Sequence, residues 1–164
     1  NFLFHEAAEE LALFPAPTLW SGNSEFGADS TALKLRANKL DSLFMISKVT
    51  ITTKTEDSLF FDQTTGSVLE GNFKDNALRN VRIDGNAQAM LHNVSDNGRI
   101  EGSNKSSCSW MQISFNGDTL EQIKMARDVE AVYNPERSTV PEWLPGCQPS
   151  FEQRPEKSAL VSPN

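Results

Sequence analysis

Hydrophobic and polar residues alternate along most of this chain. Apolar side chains recur at every second position, as at Val49 and Ile51 or at Val81 and Ile83. A period of two is typical of β-strands, because successive side chains of a strand point to opposite faces of the sheet. The other alternating sets are Leu33, Leu35 and Ala37; Ala87, Ala89 and Leu91; Met111, Ile113 and Phe115; and Val129, Ala131 and Tyr133. This pattern predicts an all-β protein.

Short segments rich in Asn, Asp and Gly separate the alternating sets. Such residues tolerate positive φ and close tight hairpins. They occur at 37–39, 74–76, 84–86, 96–98 and 116–118. Turns spaced in this way between short strands favour an antiparallel sandwich, barrel or β-roll.

An internal repeat runs through the alternation. Each copy has an apolar residue, a Leu five positions later, apolar residues three and two positions further on, and two more after gaps of four and two. The repeat units lie near 28–53, 66–91 and 108–133. The matched residues are Leu35, Leu40, Leu43, Met45, Val49 and Ile51; Phe73, Leu78, Val81, Ile83, Ala87 and Ala89; and Phe115, Leu120, Ile123, Met125, Val129 and Ala131. Such units cannot cover their own apolar faces, so we expect them to stack as an open β-roll of repeated antiparallel strands.

The two ends depart from the pattern. Residues 6–13 have helical propensity, but Pro15 and Pro17 leave room only for a short helical turn, and a hairpin is an equal alternative. The chain begins at Asn1 without an export leader, which indicates a processed or truncated product.

The carboxy-terminal part is rich in proline and polar residues. After Asn134-Pro135 it contains five further prolines, which predicts an extended tail over 136–164 that follows a β-roll over 1–135. Trp143, Leu144 and Phe151 are the side chains that we expect to hold this tail to the body.

Charge and apolar run length exclude two classes of protein. The formal net charge is −7 and the pI is about 4.8, whereas nucleic-acid binding depends on clustered Lys and Arg. The longest apolar runs, such as residues 43–46, are far shorter than the roughly 20 residues of a membrane-spanning helix. We therefore expect a soluble domain that does not bind nucleic acid.

No set of residues forms a recognisable catalytic centre. His5 and His92 are the two histidines, and neither has a partner at metal-binding spacing. There is no G-x-S-x-G turn and no phosphate-binding loop. The prediction is a non-enzymatic protein without a metal or a cofactor.

The two cysteines allow two interpretations. Cys108 and Cys147 are 39 positions apart and lack the paired spacing of a zinc site. In an oxidising compartment they would form one disulfide that stabilises the fold by about 2–4 kcal/mol. The alternative is two free, half-buried thiols.

As an ordered set, several segments resemble the OstA-like (LptA-like) family, the periplasmic β-jellyroll proteins of lipopolysaccharide transport. The resemblance covers roughly residues 11 to 135 and is greatest to the carboxy-terminal part of a longer OstA-like protein. The segments are Thr18–Gly22, Phe26–Ser30, Gly71–Leu78, Gly85–Ala87, Asn104-Lys105 with Cys108 and Met111, Val129–Pro135, and Arg154-Pro155.

The resemblance implies a β-taco, an open β-roll whose inner groove shields lipid acyl chains. It also implies a periplasmic location, in association with the outer membrane. The implied partners are lipopolysaccharide or another lipid, other OstA-like β-rolls joined by edge-strand addition, and further copies of the same chain. The groove-lining candidates are Leu35, Leu43, Met45, Val49, Ile51, Phe73, Val81, Ile83, Met111, Ile113, Phe115, Ile123 and Met125.

Two other functions fit the same residues. Periodicity alone does not separate an open trough from a closed core, and a closed β-roll would serve as a structural or interaction subunit of an outer-membrane assembly. A carbohydrate-binding domain would instead use Trp20, Trp110 and Trp143 as stacking platforms.

Overall fold

In a computed structural model, which describes residues 2–5, 9–57, 59–75, 77–116, 119–135 and 140–155, the chain is an open antiparallel sheet of eleven strands. The described residues contain no α-helix, and none of them belongs to a helix that could cross a membrane. The prediction of an all-β, antiparallel, open roll is confirmed. The strands are β1 (Phe2–His5), β2 (Glu10–Leu13), β3 (Thr18–Ser21), β4 (Ser24–Gly27), β5 (Ser30–Arg36), β6 (Lys39–Lys54), β7 (Phe61–Lys74), β8 (Ala77–Val94), β9 (Ile100–Asn116), β10 (Thr119–Ala126) and β11 (Glu130–Asn134).

The four central strands, β6 to β9, are 14 to 18 residues long, and the sheet bends across their middle. At the bend, Ser47 and Lys48 of β6 and Gly85 and Asn86 of β8 have positive φ. The pairing register shifts beside both pairs, as it does at a β-bulge. A line of such irregularities crosses the sheet and folds it into two layers.

The bend occupies the same place in each repeat copy. The copies start at Leu35, Phe73 and Phe115, and the left-handed pairs start 12 residues later, at residues 47, 85 and 127. Each pair falls inside the four-residue gap of the repeat. The predicted turn at 84–86 is therefore wrong: these residues lie within β8, since a bulge needs the same tolerance of positive φ as a hairpin.

The bend divides the sheet into two arms. The first arm consists of β1, β2, β5, β10 and residues 39–46, 68–74, 77–84 and 110–116. The second arm consists of β3, β4, β11 and residues 49–54, 61–66, 87–94 and 100–108.

The core lies between the inner faces of the two arms, next to the bend. Large side chains of the first arm, such as Met45, Ile83 and Met111, are fully buried. They pack with Ala87 and Ala89 of the second arm, whose small size lets the arms approach closely. Burial of each large side chain stabilises the fold by about 1.5–3 kcal/mol. The region between the inner faces of the two arms is here called the seam, and this part of it is closed.

At the amino-terminal end, β1 and β2 form an antiparallel pair, and β2 pairs with β5. Strand geometry over 10–13 therefore favours the hairpin over the helical turn, while residues 6–8 lie outside the described residues. Two other predicted turns also involve such residues: position 76, and positions 117 and 118. The turns at 37–38 and 95–98 join β5 to β6 and β8 to β9.

The carboxy-terminal tail follows the last strand, which ends at Asn134. Residues 140–155, here called the strap, have no regular secondary structure except for a turn at Pro145 and Gly146 and a 3-10 turn at Phe151–Gln153. The strap lies on the outer face of the second arm, where Leu144 and Cys147 are buried with Met90. The tail is thus docked on the sheet over its described length.

Candidate functional site

The two arms separate away from the bend and leave a cleft of about 550 Å³ between them. This volume lies within the range of small-molecule binding sites. Its apolar lining comes from both arms: Phe26, Ile51 and Leu91 from the second arm, and Leu78, Ile113, Phe115 and Ile123 from the first. The seam between the arms is therefore packed at the bend and open towards the strand ends.

The sequence-based groove candidates fall into three groups. Four of them line the cleft: Ile51, Ile113, Phe115 and Ile123. Six are buried in the core: Leu43, Met45, Val49, Val81, Ile83 and Met111. The remaining three, Leu35, Phe73 and Met125, are half-buried and do not line the cleft.

Strand register explains the buried group next to the bend. Met45, Leu69, Ile83 and Met111 form one cross-strand row beside the bend, and this row is completely buried. Phe115 lies four residues beyond Met111 along β9, at the open end. The row beside the bend is therefore core, whereas the next row holds both kinds of residue: Val81 and Ile113 are paired and buried, but only Ile113 lines the cleft.

Three large apolar lining residues, Phe26, Leu78 and Leu91, were absent from the sequence-based set. Leu78 is the second position of a repeat copy, and Leu91 belongs to an alternating set. Both could therefore have been predicted as inward-facing from the sequence. Phe26 is on β4, a strand of four residues outside the repeat template, and its burial depends on pairing with Ile51 of β6. No local pattern indicated it.

Polar groups stand at the edge of the cleft. Asn23, Ser24, Lys54 and Asp62 contribute to its lining. The Asp62 carboxylate accepts a hydrogen bond from the backbone N–H of His92 at 2.8 Å, and its Oδ1 is 3.2 Å from Nδ1 of the same residue. These contacts hold the Asp62 carboxylate beside the apolar lining, to which Lys54 adds a cationic side chain.

The two cysteines are free and buried, so the disulfide considered from the sequence is not formed. Cys108 belongs to the core between the arms, whereas Cys147 is on the strap and packs with Met90 of the outer face. The second arm separates the two thiols. Burial raises the pKa of Cys108 and raises the pKa of Cys147 to about 11, which makes both thiols poor nucleophiles.

Each tryptophan has an intramolecular partner. Trp20 Nε1 donates to Glu25 at 3.0 Å, and the Arg82 guanidinium lies 4.4 Å from the centre of the Trp110 ring. The Trp143 ring is 5.5 Å from that of Phe61. Of these contacts, that of Arg82 covers a face of the Trp110 ring, the surface that a stacking platform for sugars would present, whereas the hydrogen bond of Trp20 involves the ring edge.

In the described part of the chain, no three His, Cys, Asp or Glu side chains come together as a metal site would require. The His92 imidazole, 6% exposed, packs at 5.4 Å against the ring of Phe60. Comparison of the chain with models of known protein families, with characterised proteins and with solved structures gave no match.

Proposed function

We propose that this chain binds lipid acyl chains in the cleft between its arms and acts in lipopolysaccharide transport through the periplasm. The observation that carries the proposal is the apolar cleft at the open end of a seam that is otherwise fully packed. Each methylene group buried there would contribute about 0.8 kcal/mol to binding.

The shape of the cleft fits an amphiphile. Its apolar lining reaches inward to Ile51 and Ile113, and its polar groups, including Lys54 and Asn23, lie with the β3–β4 turn. An acyl chain would therefore enter between the arms while its head group stays near the polar edge. The choice of lipopolysaccharide among lipids comes from the resemblance to OstA-like proteins.

The sheet edges support the transport part of the proposal. β11 pairs with β9 on one side, and all five of its residues are exposed, including Val132 and Tyr133 at 69% and 53%. An exposed strand edge offers backbone hydrogen bonds to a strand of another chain. Further copies of this chain, or other β-rolls, that join in this way would form a continuous path for lipid from one domain to the next.

A closed structural subunit is the second candidate function. It is favoured by the completely buried row beside the bend, where Met45, Leu69, Ile83 and Met111 leave no space for a ligand. In that case the cleft would be too short to hold lipid, and only the sheet edges would function, by pairing with strands of other chains.

Photo-crosslinking to purified lipopolysaccharide tests the proposal. A benzophenone residue is placed in turn at Phe115 and Ile123, which line the cleft, and at Arg82 on the outer face of the first arm as the control. We expect crosslinks at Phe115 and Ile123, reduced by unlabelled lipopolysaccharide, and none at Arg82.

The other results select the second candidate or another lipid. Folded variants that give no crosslink at either cleft position would overturn lipid binding and favour the closed subunit. Crosslinks that phospholipid vesicles compete away, while lipopolysaccharide does not, would keep lipid binding and reject lipopolysaccharide as the ligand.

A further inference from the structure

The middle of the strap is fixed to the second arm by the side chain of Gln63. Gln63 Nε2 donates to the carbonyl oxygen of Glu142 at 2.8 Å, and its Oε1 accepts from the backbone N–H of Leu144 at 2.7 Å. The Gln63 residue is 1% exposed, and Leu144 and Cys147 beside it are 2% and 1% exposed. This part of the strap is as buried as the core of the sheet.

The far end of the strap is bound to the β3–β4 hairpin. Ser150 donates from its backbone N–H at 2.9 Å and from its hydroxyl at 3.1 Å to the Glu25 carboxylate. The guanidinium of Arg154 donates to the carbonyl oxygen of Gly22 at 2.8 Å. Hydrogen bonds to charged groups are stronger than neutral ones, so these contacts define the hairpin position.

The same hairpin forms one wall of the cleft. Ser21, Gly22, Asn23 and Ser24 all line it. Lys54, another lining residue, donates its backbone N–H to the carbonyl oxygen of Asn23 at 3.0 Å. The strap therefore contacts the hairpin from outside the cleft, while the inner side of the hairpin faces the ligand space.

The Lys54 side chain makes a second connection to the strap. Its ammonium group lies 4.4 Å from the centre of the Phe151 ring, and that ring stacks at 5.9 Å on Phe61. Lys54, the one cationic side chain among the described residues that line the cleft, is thus in contact with a strap residue.

We propose that docking of the strap end, Ser150–Arg154, holds the hairpin wall of the cleft in place, so that release of the strap loosens the cleft and speeds ligand exchange. The ligand part of this inference rests on the proposed function. The mechanical part, coupling of strap and hairpin, does not.

Strap release is measured through the thiols of the intact chain. The double variant Ser150→Ala/Arg154→Ala removes the side-chain hydrogen bonds to Glu25 and Gly22 and leaves the bond from the backbone N–H of residue 150 to Glu25, and Gln63→Ala releases the middle of the strap. Since the first variant loses two hydrogen bonds that involve a charged group and Gln63→Ala loses two buried hydrogen bonds to the strap backbone, we expect Cys147 to react with iodoacetamide about tenfold faster or more in both variants. Cys108, inside the core, is the internal reference, and Arg36→Ala, which removes an exposed arginine paired with Asp41, is the matched control.

Coupling is measured by amide hydrogen exchange over residues 21–27 and by the release rate of dansyl-labelled undecanoic acid. We expect faster exchange in the hairpin and about threefold faster release of the probe or more, a change of roughly 0.7 kcal/mol. Exchange in β8 and β9 should stay at the wild-type level, and Arg154→Lys combined with wild-type Ser150 should restore most of the slow release.

Each result separates the inference from the proposed function. Faster labelling of Cys147 with unchanged hairpin exchange and probe release would show that the strap is an independent brace and overturn the inference. Unchanged labelling in both strap variants would overturn it as well, because these contacts would not hold the strap. A wild-type protein that does not bind the probe would refute the proposed function, while hairpin exchange would still decide the coupling.

Discussion

Gly66 lies where β7 passes through the bend, and this position has no room for a β-carbon. A Cβ at Gly66 would collide with Cγ2 of Ile83, whose side chain is completely buried. We expect Gly66→Ala to lower the free energy of unfolding by about 1–3 kcal/mol, because overpacking a filled core forces side chains or backbone to shift. Urea denaturation measures this change.

A double-mutant cycle tests the cause. Ile83→Ala removes the methyl group that a β-carbon at Gly66 would meet. The double variant should therefore lose less stability than the sum of the two single variants. Strictly additive losses would mean that Gly66 is required for another reason, such as its backbone conformation.

Cys147 gives a second prediction at the residue scale. Burial raises the pKa of its thiol to about 11 from an ordinary value of 9.0, so the folded state holds the proton more tightly than the unfolded chain. This contribution to stability is present below about pH 9 and is lost as the pH rises to about 11. We expect the difference in unfolding free energy between wild type and Cys147→Ala to shrink by up to about 2 kcal/mol over that range.

Urea denaturation of both proteins at several pH values provides the measurement. Groups that titrate in both proteins, such as lysines, cancel in the difference. A difference that stays constant between about pH 9 and about pH 11 would show that the thiol is accessible to water in the folded protein.

At the scale of elements, β11 is an edge strand whose five residues are all exposed. Its Val132 is 69% exposed, although Val is a residue that strands favour and charged residues are the common protection of a sheet edge. We expect the wild-type protein to self-associate with rising concentration and Val132→Lys to do so several-fold less. Sedimentation velocity measures both.

Val140→Lys is the matched control, because Val140 is also 69% exposed but is on the strap rather than on a strand. Equal loss of association in the two variants would indicate a nonspecific effect of the added charge. A wild-type protein that remains monomeric at all concentrations would contradict homotypic edge pairing.

The bent strand β8 shows how far sequence predicts these elements. The alternation at Val81 and Ile83 and again at Ala87 and Ala89 correctly identified strand structure on both sides of Gly85. The four-residue gap between Ile83 and Ala87 was also visible in the sequence as a break in the alternation. It did not separate a bulge from a hairpin, since both use residues that tolerate positive φ. Pairing with β7 and β9, distant in sequence, makes that choice.

The site was predictable only in part for a similar reason. Val81 and Ile113 are paired inward residues of neighbouring strands and both are buried, yet only Ile113 also lines the cleft. What differs is the position of each strand in the sheet, which alternation does not encode. Docking of the strap depends on Gln63, a single polar residue in β7 whose role appears only when residues about 80 positions later pack on it.

At the scale of the whole molecule, the seam changes from dry core at the bend to open cleft at the strand ends. A carboxylate at Ile83, 0% exposed, would be buried without a partner, at a cost of several kcal/mol. A carboxylate at Ile123, half-buried in the cleft lining, would reach water. We expect Ile83→Glu to prevent folding and Ile123→Glu to lower the unfolding free energy by only about 1 kcal/mol, as urea denaturation would show.

Stabilisation by an added lipid distinguishes a binding cleft from an empty space in a closed structural subunit. A ligand that binds only the folded state at 100 times its dissociation constant stabilises it by about 2.7 kcal/mol. We expect dansyl-labelled undecanoic acid to raise the unfolding midpoint of the wild type and not that of Ile123→Glu, because the added charge lies against the acyl chain. No gain in the wild type would favour the closed subunit. Equal gains in both proteins would place the lipid elsewhere, and the outer face of the first arm, where Phe44 and Ile46 are 41% and 45% exposed, would be the next surface to test.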